Sequence, residues 1–399
     1  MALELGDLTS AFSTGTPRPP QDGTRAHRIT ITISGQLIDG WTEYEITSSM
    51  VEPSDGFRLS RPFDLQAWKL CTLDSKVKVA IDGTVMLDGF IDARSRGAAA
   101  GTMEISGRDK AGRLVQESIP SVAGFDGLLM TDAIAKLATP WFTTVTLSDA
   151  RNRNIRRGKG HRAPAAGEPA LFTVKNKLDE EHSGRVDPGE TRWNVIEQLV
   201  SSVGIMCWSS ADGRELVIGK PNYNQAIQYL FRHSVEKGST VKDLKYDESV
   251  LDGYALMEIH GAGAGDASNY GDDVTSYIGT AKDGPNADGT GKDFQFPKRF
   301  AHYQRAVQDN AEAARAAARE MTRRNFKRRH VTVSVPLHGQ VVAGTTMTLF
   351  APNTLARVID DDLELDGTFL LYACSYRGSR DGGETTEIML VPRGTEFVA

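Results

Sequence analysis

One feature constrains the fold of this chain more than any other. It is a series of short segments in which apolar and polar residues alternate, several of them joined by Asp-Gly pairs. In "HRITITISG", Ile29, Ile31 and Ile33 alternate with polar residues, which is the period of a half-buried strand. "SKVKVAIDGTVMLDG" predicts two strands around a hairpin turn at Asp82-Gly83. Together with "EYEIT" and "GTMEISGR", these segments predict a compact antiparallel unit over residues 27–108, the first β unit. Residues 1–26 are rich in Gly, Pro, Ser and Thr and predict a flexible N-terminal arm.

The pattern changes between residues 109 and 225, the α/β unit. "MTDAIAKLATP" predicts a short helix that ends before Pro140. "TRWNVIEQLVSSVG" predicts a second helix, whose apolar face consists of Trp193, Ile196, Leu199, Val200 and Val203. A hairpin with its turn at Asp212-Gly213 follows, and the stretch 151–170 between the helices is predicted as a basic surface loop.

Strand patterns return in residues 226–399, the second β unit. It contains a glycine-rich acidic insertion, 261–297, and a predicted helix, 309–329, in which Asp309 and Glu312 have the spacing of a capping box. An alanine stripe on that helix would let it lie close to a sheet; its predicted members are Ala311, Ala314 and Ala318, reaching Met321. Five strands in a meander are predicted to complete the unit, with turns at Asp366-Gly367 and at Asp381-Gly382-Gly383. The fold class expected from the whole sequence is mainly β with an α/β insertion (α+β).

Composition excludes several classes of protein. A formal net charge of -6 argues against a dedicated nucleic-acid-binding protein, because such proteins carry a basic excess. We expect no association with a membrane, since no apolar run reaches the length of a membrane span. The N-terminus lacks the basic and apolar regions of a signal peptide, so a cytoplasmic site of synthesis is expected. Three cysteines, Cys71, Cys207 and Cys374, lie far apart among apolar residues and are predicted to be buried thiols.

No motif in the sequence predicts catalysis, a cofactor or a metal site. Gly261 and Gly263 begin a G-x-G-x-x-G pattern, but Asp266 occupies its last position, and Asp272 and Asp273 make the loop acidic. This loop is therefore predicted to be a flexible excursion between two strands. In "DGPNADGTGKD", Pro285 occupies a position that a calcium loop requires as Asp or Asn. "SVEK", Ser234 to Lys237, matches the letters of the catalytic motif S-x-x-K, but the S-D-N and K-T-G motifs that accompany it in enzymes are missing.

Two basic clusters allow a functional or a structural interpretation. The first could bind phosphates, but a solvated loop or a contact with an acidic neighbouring subunit is favoured; it comprises Arg151, Arg153, Arg156, Arg157, Lys159 and Arg162. The second, "RRNFKRR", runs from Arg323 to Arg329 at the predicted end of a helix, where positive charge offsets the helix dipole. Neither cluster by itself predicts specific binding of nucleic acid.

The order of these segments resembles the baseplate hub protein of Mu-like contractile-tailed bacteriophages. The likeness runs from about residue 28 to 395, and its most specific part is "LFAPNTLARVIDDDLELDGTFLLYACSYRGSRDGGETTEIMLV". Earlier parts are "GFIDARS...GTMEISGRDKAGRLV", "TRWNVIEQLVSSVGIMCWSSADGRELVIG" and "NAEAARAAAREMTRRNFKRRHVTVSVP". Departures are "RLVQES" after Gly107-Arg108 and "PLHG" at Pro336 to Gly339, where the family pattern has "DLVDCS" and "PGW". The loops near 151–170 and 261–297 are also longer than those of the family.

The resemblance implies a structural protein of the virion tail that is assembled in the host cytoplasm and is not an enzyme. It implies a ring-shaped homotrimer in which each subunit contributes two tube-type antiparallel β-barrel domains and a smaller α/β domain. Such a ring joins the sixfold tail tube to the threefold central spike. Other implied partners are neighbouring baseplate proteins and the tape measure protein. Two alternatives remain open: a tail-associated peptidoglycan hydrolase, and the hub of a phage-derived contractile injection particle.

Overall fold

A computed structural model describes most of the chain. The described residues are 27–99, 101–119, 130–148, 189–202, 205–234, 236, 238–249, 254–261, 277–282, 299–304, 310, 313–314, 317, 320–321, 329–341, 347–379 and 382–393. Four predictions lie wholly or mostly outside them: the arm 1–26, the basic loop 151–170, most of the insertion 261–297, and the capping box of the 309–329 helix.

Strands dominate the described residues. Those of the first β unit are Ile29–Ile33 (β1), Gln36–Ile38 (β2), Glu43–Ser49 (β3), Gly56–Pro62 (β4), Lys76–Ile81 (β5), Thr84–Gly97 (β6) and Thr102–Asp109 (β7), with the helix Leu65–Leu70 (α1). The α/β unit contains Ala111–Gln116 (α2), Met130–Ala138 (α3), Val145–Leu147 (β8), Arg192–Ser202 (α4), Met206–Ser209 (β9) and Leu216–Gly219 (β10).

The second β unit begins with Ile227–His233 (β11), Asp243–Glu248 (β12), Leu256–Gly261 (β13), Tyr277–Lys282 (β14) and Arg299–Gln304 (β15). It continues with Arg329–Pro336 (β16), Gly339–Val341 (β17), Met347–Leu349 (β18), Thr354–Asp360 (β19), Leu365–Ser379 (β20) and Gly383–Pro392 (β21). The prediction of a mainly β chain is thus confirmed.

Both β units contribute to one thirteen-stranded sheet. Its order is β12-β16-β21-β20-β3-β4-β7-β6-β5-β1-β2, with β19 pairing with β20, and β11 pairing with β19. No closed barrel is detected among the described strands, since β2 and β12 end this sequence of pairings. Side chains from both units share one apolar core, which extends from Ile31 and Leu59 to Val333 and Leu390. The two units are therefore packed together as well as hydrogen-bonded.

The long strand β20 makes the connection between the units. Its first half pairs with β19 and its second half pairs with β3, while β21 pairs along the opposite edge. The register with β21 shifts between Leu371 and Ala373, at the point where the partner changes from β19 to β3. A shift of this kind bends a strand and increases its twist, which lets one strand serve two neighbours in succession.

Local turn predictions are confirmed in the first β unit and partly wrong in the second. Asp82 and Gly83 have φ values of 49° and 81°, as a two-residue hairpin requires. Asp366-Gly367, however, lies within β20, and the preceding turn is formed by residues 361–364. There the Asp360 carboxylate accepts the N–H groups of Asp362 and Leu363, which fixes the turn before the Asp-Gly pair is reached.

The predicted five-strand meander is also wrong. β16 pairs with β12 and β21, and β18 pairs with β17 in a separate hairpin. Only β19, β20 and β21 follow one another in the sheet as they do in the sequence.

The α/β unit forms its own layer. β8, β10 and β9 form a three-stranded sheet that shares a core with the three helices, including Ile134, Ile196 and Ile218. The predicted apolar face of α4 is confirmed at Trp193, Ile196 and Val200, which are buried. The layer packs on the large sheet where Met206 and Trp208 contact the cluster that contains Leu370 and Tyr372.

A second small sheet lies within the second β unit. β13 pairs with β14 antiparallel and with β15 parallel, and the described residues between 310 and 321 are helical, forming the alanine helix. The alanine helix buries Ala313, Ala317 and Met321 against Met257 and Ile259 of β13.

The alanine helix therefore lies close to a sheet as predicted. Ala313, Ala317 and Met321 are buried there, the predicted Ala314 is only half-buried, and the predicted Ala311 and Ala318 lie outside the described residues. Gly279 of β14 faces this helix, where an added Cβ would lie 1.9 Å from the carbonyl carbon of Ala313.

Among the described residues, no helix is both long and apolar enough to cross a bilayer.

Candidate assembly interface

The pairing of β3 with β20 is the seam between the two β units. It runs in antiparallel register from Glu43 opposite Ser379 to Ser49 opposite Ala373. Gly378 lies opposite Tyr44, where a Cβ would come within 2.3 Å of Cε1 of the tyrosine ring. A glycine is therefore required for the Tyr44 side chain to lie across β20.

Tyr44 places its hydroxyl in a buried polar network that crosses the seam. The hydroxyl donates to Glu384 Oε1 at 3.0 Å and lies 2.5 Å from Nε2 of His338. His338 Nδ1 lies 2.8 Å from the hydroxyl of Thr386. The His27 ring stacks on the His338 ring with centroids 4.8 Å apart. Two residues of the first β unit, Tyr44 and His27, thus contact two residues of the second, His338 and Glu384, in the molecular interior.

Backbone groups tie this network to the chain on both sides of the seam. The N–H of His27 donates to Glu384 Oε1 at 3.2 Å, and the N–H of His338 donates to Nε2 of His27 at 3.2 Å. On its other side, Nδ1 of His27 lies 2.6 Å from the Asp82 carboxylate, in the turn between β5 and β6. Oε2 of Glu384 is buried and has no hydrogen-bond partner among the described residues. The network is therefore rigidly placed but not fully satisfied.

His338 is uncharged in this network. Burial, and to a smaller extent the adjacent His27, lower the pKa of its imidazole from 6.5 to about 3. A neutral imidazole carries one ring proton, so one ring nitrogen donates while the other accepts. The directions of the hydrogen bonds across the seam therefore depend on that ring proton and on the hydroxyl protons of Tyr44 and Thr386.

A buried pair of carboxylates, Asp55 and Asp109, lies where the first β unit meets the α/β unit. Asp55 accepts from the hydroxyl of Ser48 at 2.9 Å and from the N–H of Ser49 at 2.8 Å. Asp109, the last residue of β7, accepts the N–H groups of Ala111 and Gly112 at the start of α2. Burial raises the pKa of Asp109 from 3.8 to about 7. Burial and the nearby Asp109 likewise raise the pKa of Asp55.

The large sheet has strands that are open for pairing with another chain. β2 pairs only with β1 and β12 only with β16 among the described strands. Edge strands of this kind present unpaired backbone N–H and C=O groups, which can be extended by a neighbouring subunit. These two edge strands differ in chemistry, because β2 exposes the apolar Leu37 and β12 carries the sequence "DLKYDE".

A groove of about 590 Å³ lies between the first β unit and the α/β unit. Lys76, Lys78 and Lys110 line it together with Phe90 and Trp141. Lys110 pairs with Asp88 at 2.7 Å, so part of its positive charge is compensated. The groove surface is therefore both basic and aromatic.

Within the described parts of the chain, the residues that the sequence singled out for chemistry are not brought together. Cys71, Cys207 and Cys374 are buried free thiols, as predicted. Gly261 ends β13 opposite Tyr277 of β14, so the glycine loop connects two paired strands, and Gly263 and Asp266 lie outside the described residues. Ser234 is buried and hydrogen-bonds with Ser239 through its backbone, while Lys237 lies outside the described residues.

Other candidates lie in parts of the chain that are not described. These are the basic cluster between 151 and 162, the loop with Pro285, and all of the 323–329 cluster except Arg329, which pairs with Glu248 at 2.7 Å. Sequence reasoning missed the network at the seam, since its histidines, glutamate and tyrosine are isolated in the sequence and match no motif.

A family comparison decides what the first β unit is. Residues 28–109 match the family described as "Mu phage baseplate assembly protein GpP-like, N-terminal". The resemblance to Mu-like baseplate proteins is confirmed. The match includes β1 through β7, and so contains the Tyr44 side of the seam. No curated protein matches the chain in a sequence comparison.

Solved phage tail proteins have a similar fold over most of the chain. The tail protein from Neisseria meningitidis MC58 is 21% identical with a TM-score of 0.71, covering 93% of this chain and 98% of its own. The 43 kDa tail protein of prophage MuSo2 from Shewanella oneidensis is 20% identical with a TM-score of 0.70, covering 92% and 99%. Prophage tail protein gp18 from Listeria monocytogenes EGD-e is 13% identical with a TM-score of 0.55, covering 92% and 95%. The fold is that of phage tail proteins beyond the GpP-like domain.

Proposed function

We propose that this protein is the structural hub of a contractile phage baseplate, a homotrimeric adaptor between the sixfold tail tube and the threefold central spike. In this proposal the two β units are its tube-type barrel domains, so that three subunits present six similar domains to the tube. The spike, the tail tube protein, neighbouring baseplate proteins and the tape measure protein are its partners. The protein acts within the virion tail, is assembled in the host cytoplasm, and has no catalytic role or cofactor.

The GpP-like match of residues 28–109 carries this proposal, because it assigns a baseplate domain to one of the two β units. The seam between β3 and β20 adds support, since an adaptor under load needs its two β units to move as one body. The open edges β2 and β12 supply surfaces on which neighbouring subunits could extend the sheet. Rings assembled by such heterologous contacts close when the rotation between subunits divides a full turn.

The solution mass tests the adaptor directly. Light scattering after size exclusion is run on the protein alone and with the purified spike protein. A mass of about 130 kDa for the protein alone, three times 43.4 kDa, agrees with the proposal, as does a complex with the spike that contains three copies of this chain. A stable monomer that ignores the spike contradicts it. Degradation of peptidoglycan by such a monomer would favour the hydrolase alternative instead.

A further inference from the structure

Three side chains from separate parts of the second β unit converge at one end of the large sheet. His233 ends β11, Asp360 ends β19, and Asp362 lies in the turn that follows β19. Their ligand atoms, one from each residue, all lie within 4.8 Å of one another. His233 and Asp360 are opposite each other in the parallel pairing of β11 with β19, so the backbone register fixes their separation.

The distances within this triad are too long for hydrogen bonds. Nδ1 of His233 lies 3.4 Å from Oδ2 of Asp360 and 3.8 Å from Oδ2 of Asp362, whereas direct hydrogen bonds of this type span about 2.7–3.2 Å. The same nitrogen is buried and has no hydrogen-bond partner among the described residues. A buried nitrogen that forms a hydrogen bond with neither of the two carboxylates beside it leaves room for an ion between them.

A metal ion with short bonds fits the separation of His233 and Asp360, and the exposed Asp362 side chain would have to turn inward to join them. A tetrahedral ion with bonds of about 2.1 Å holds its ligand atoms about 3.4 Å apart. An octahedral Mg²⁺ with similar bonds would bring adjacent ligands to about 3.0 Å, and Ca²⁺ and Mg²⁺ prefer oxygen ligands only. One imidazole and two carboxylates are a donor set suited to zinc and related divalent metals.

The surroundings hold the ligands in place and leave one side open. Oδ1 of Asp360 accepts the N–H groups of Asp362 at 2.9 Å and of Leu363 at 3.1 Å, which orients the carboxylate and leaves Oδ2 toward His233. The carbonyl of His233 accepts the N–H of Asp361 at 3.2 Å. Within the described chain, neither Asp360 nor Asp362 forms an ion pair with Arg or Lys. Asp360 is buried, but the Asp362 side chain is 60% exposed, so solvent can supply a fourth ligand.

We propose that His233, Asp360 and Asp362 bind one zinc-class divalent cation. The ion ties the end of the edge strand β11 to the turn between β19 and β20. That turn presents Leu363, which is 55% exposed, at the surface. Metal binding therefore holds this exposed leucine in a fixed position at the end of the sheet.

Titration calorimetry with Zn²⁺ on the full-length protein, after removal of metal by a chelator and dialysis, tests this proposal. We expect one site per chain whose dissociation constant rises at least about tenfold in Asp362→Asn and in His233→Gln. Asp362 is mainly exposed, so the first variant keeps the fold, and circular dichroism checks the second. The Tm should rise with added Zn²⁺ in the wild type and much less in either variant.

A matched control distinguishes the triad from an ordinary histidine–carboxylate pair. His330 lies 3.3 Å from Asp247, a single carboxylate, on the surface of β16, so His330→Gln should leave Zn²⁺ binding unchanged. The proposal is overturned if the wild type binds no Zn²⁺, if the triad variants bind as well as the wild type, or if His330→Gln weakens binding equally. A Tm increase with Mg²⁺ as large as that with Zn²⁺ would also overturn it, since a nitrogen ligand disfavours Mg²⁺.

Discussion

Removing the hydroxyl of Tyr44 should weaken the seam between the two β units measurably. In Tyr44→Phe the ring still fills the space over Gly378, but Glu384 loses a donor at 3.0 Å and His338 loses its partner at 2.5 Å. Glu384 Oε1 still accepts the N–H of His27 at 3.2 Å, so this oxygen loses one of its two hydrogen bonds and not both. Each buried polar group left without a partner costs about 1–3 kcal/mol. We therefore expect a loss of about 2–4 kcal/mol in the free energy of unfolding.

Urea denaturation followed by near-UV circular dichroism measures this loss, and Tyr246→Phe is the matched control. Tyr246 is half-buried beside the same core, and no hydrogen bond of its hydroxyl to a described residue accompanies that packing. That control should change the free energy by less than about 0.5 kcal/mol. In the double variant Tyr44→Phe/Glu384→Gln the two losses should be non-additive, because the residues share one contact. A Tyr44→Phe loss no larger than that of Tyr246→Phe would refute the view that this network stabilises the seam.

Two further perturbations test other parts of the structure. The pKa of Asp109 is raised in the folded state, so the folded protein binds a proton more readily than the unfolded chain, and stability falls as the pH rises from about 4 through about 7. Asp109→Asn should reduce that fall, measured as the difference in unfolding free energy between pH 4.5 and pH 8; an identical fall in both proteins would contradict the assignment. In Gly279→Ala, the new methyl group would lie 1.9 Å from the carbonyl carbon of Ala313, so the alanine helix must move away from β14 at a cost of about 1–3 kcal/mol. Amide hydrogen exchange in β13 and β14 should accelerate in Gly279→Ala and stay unchanged in the exposed-site control Thr280→Ala, and equal exchange in both would contradict the close packing.

Local signals predicted much of the fold because they depend on neighbouring residues alone. The alternating isoleucines of β1 are buried and the Asp82-Gly83 turn has the backbone angles it needs. The same rule failed at Asp366-Gly367, because the acidic segment contains two turn signals and the Asp360 side chain stabilises the earlier one. A turn rule cannot rank two adjacent candidates when a side-chain hydrogen bond decides between them.

Sequence periodicity did not identify which alanines of the alanine helix are buried. A segment with alanine on several faces has little contrast between its sides, so periodicity does not identify the buried one. Its register is set by Gly279, where the absence of a side chain lets Ala313 approach the strand. That contact is between residues distant in the sequence, and no local pattern encodes it.

The candidate sites were beyond sequence reasoning for the same reason. Tyr44 reaches His338 and Glu384 from β3, which pairs with β20, and His233 meets Asp360 because β11 pairs with β19. Each pairing joins strands from distant parts of the chain. The resemblance to Mu-like baseplate proteins, which isolated residues could not indicate, was recognised from the order of whole segments.

The most direct test of the hub assignment is an electron cryomicroscopy map of the intact tail that contains this chain. The account predicts three copies in a ring at the junction of tube and spike, with their β units arranged as six similar domains facing the tube. Location in the sheath or at the periphery of the baseplate, or a copy number other than three at the junction, would contradict it.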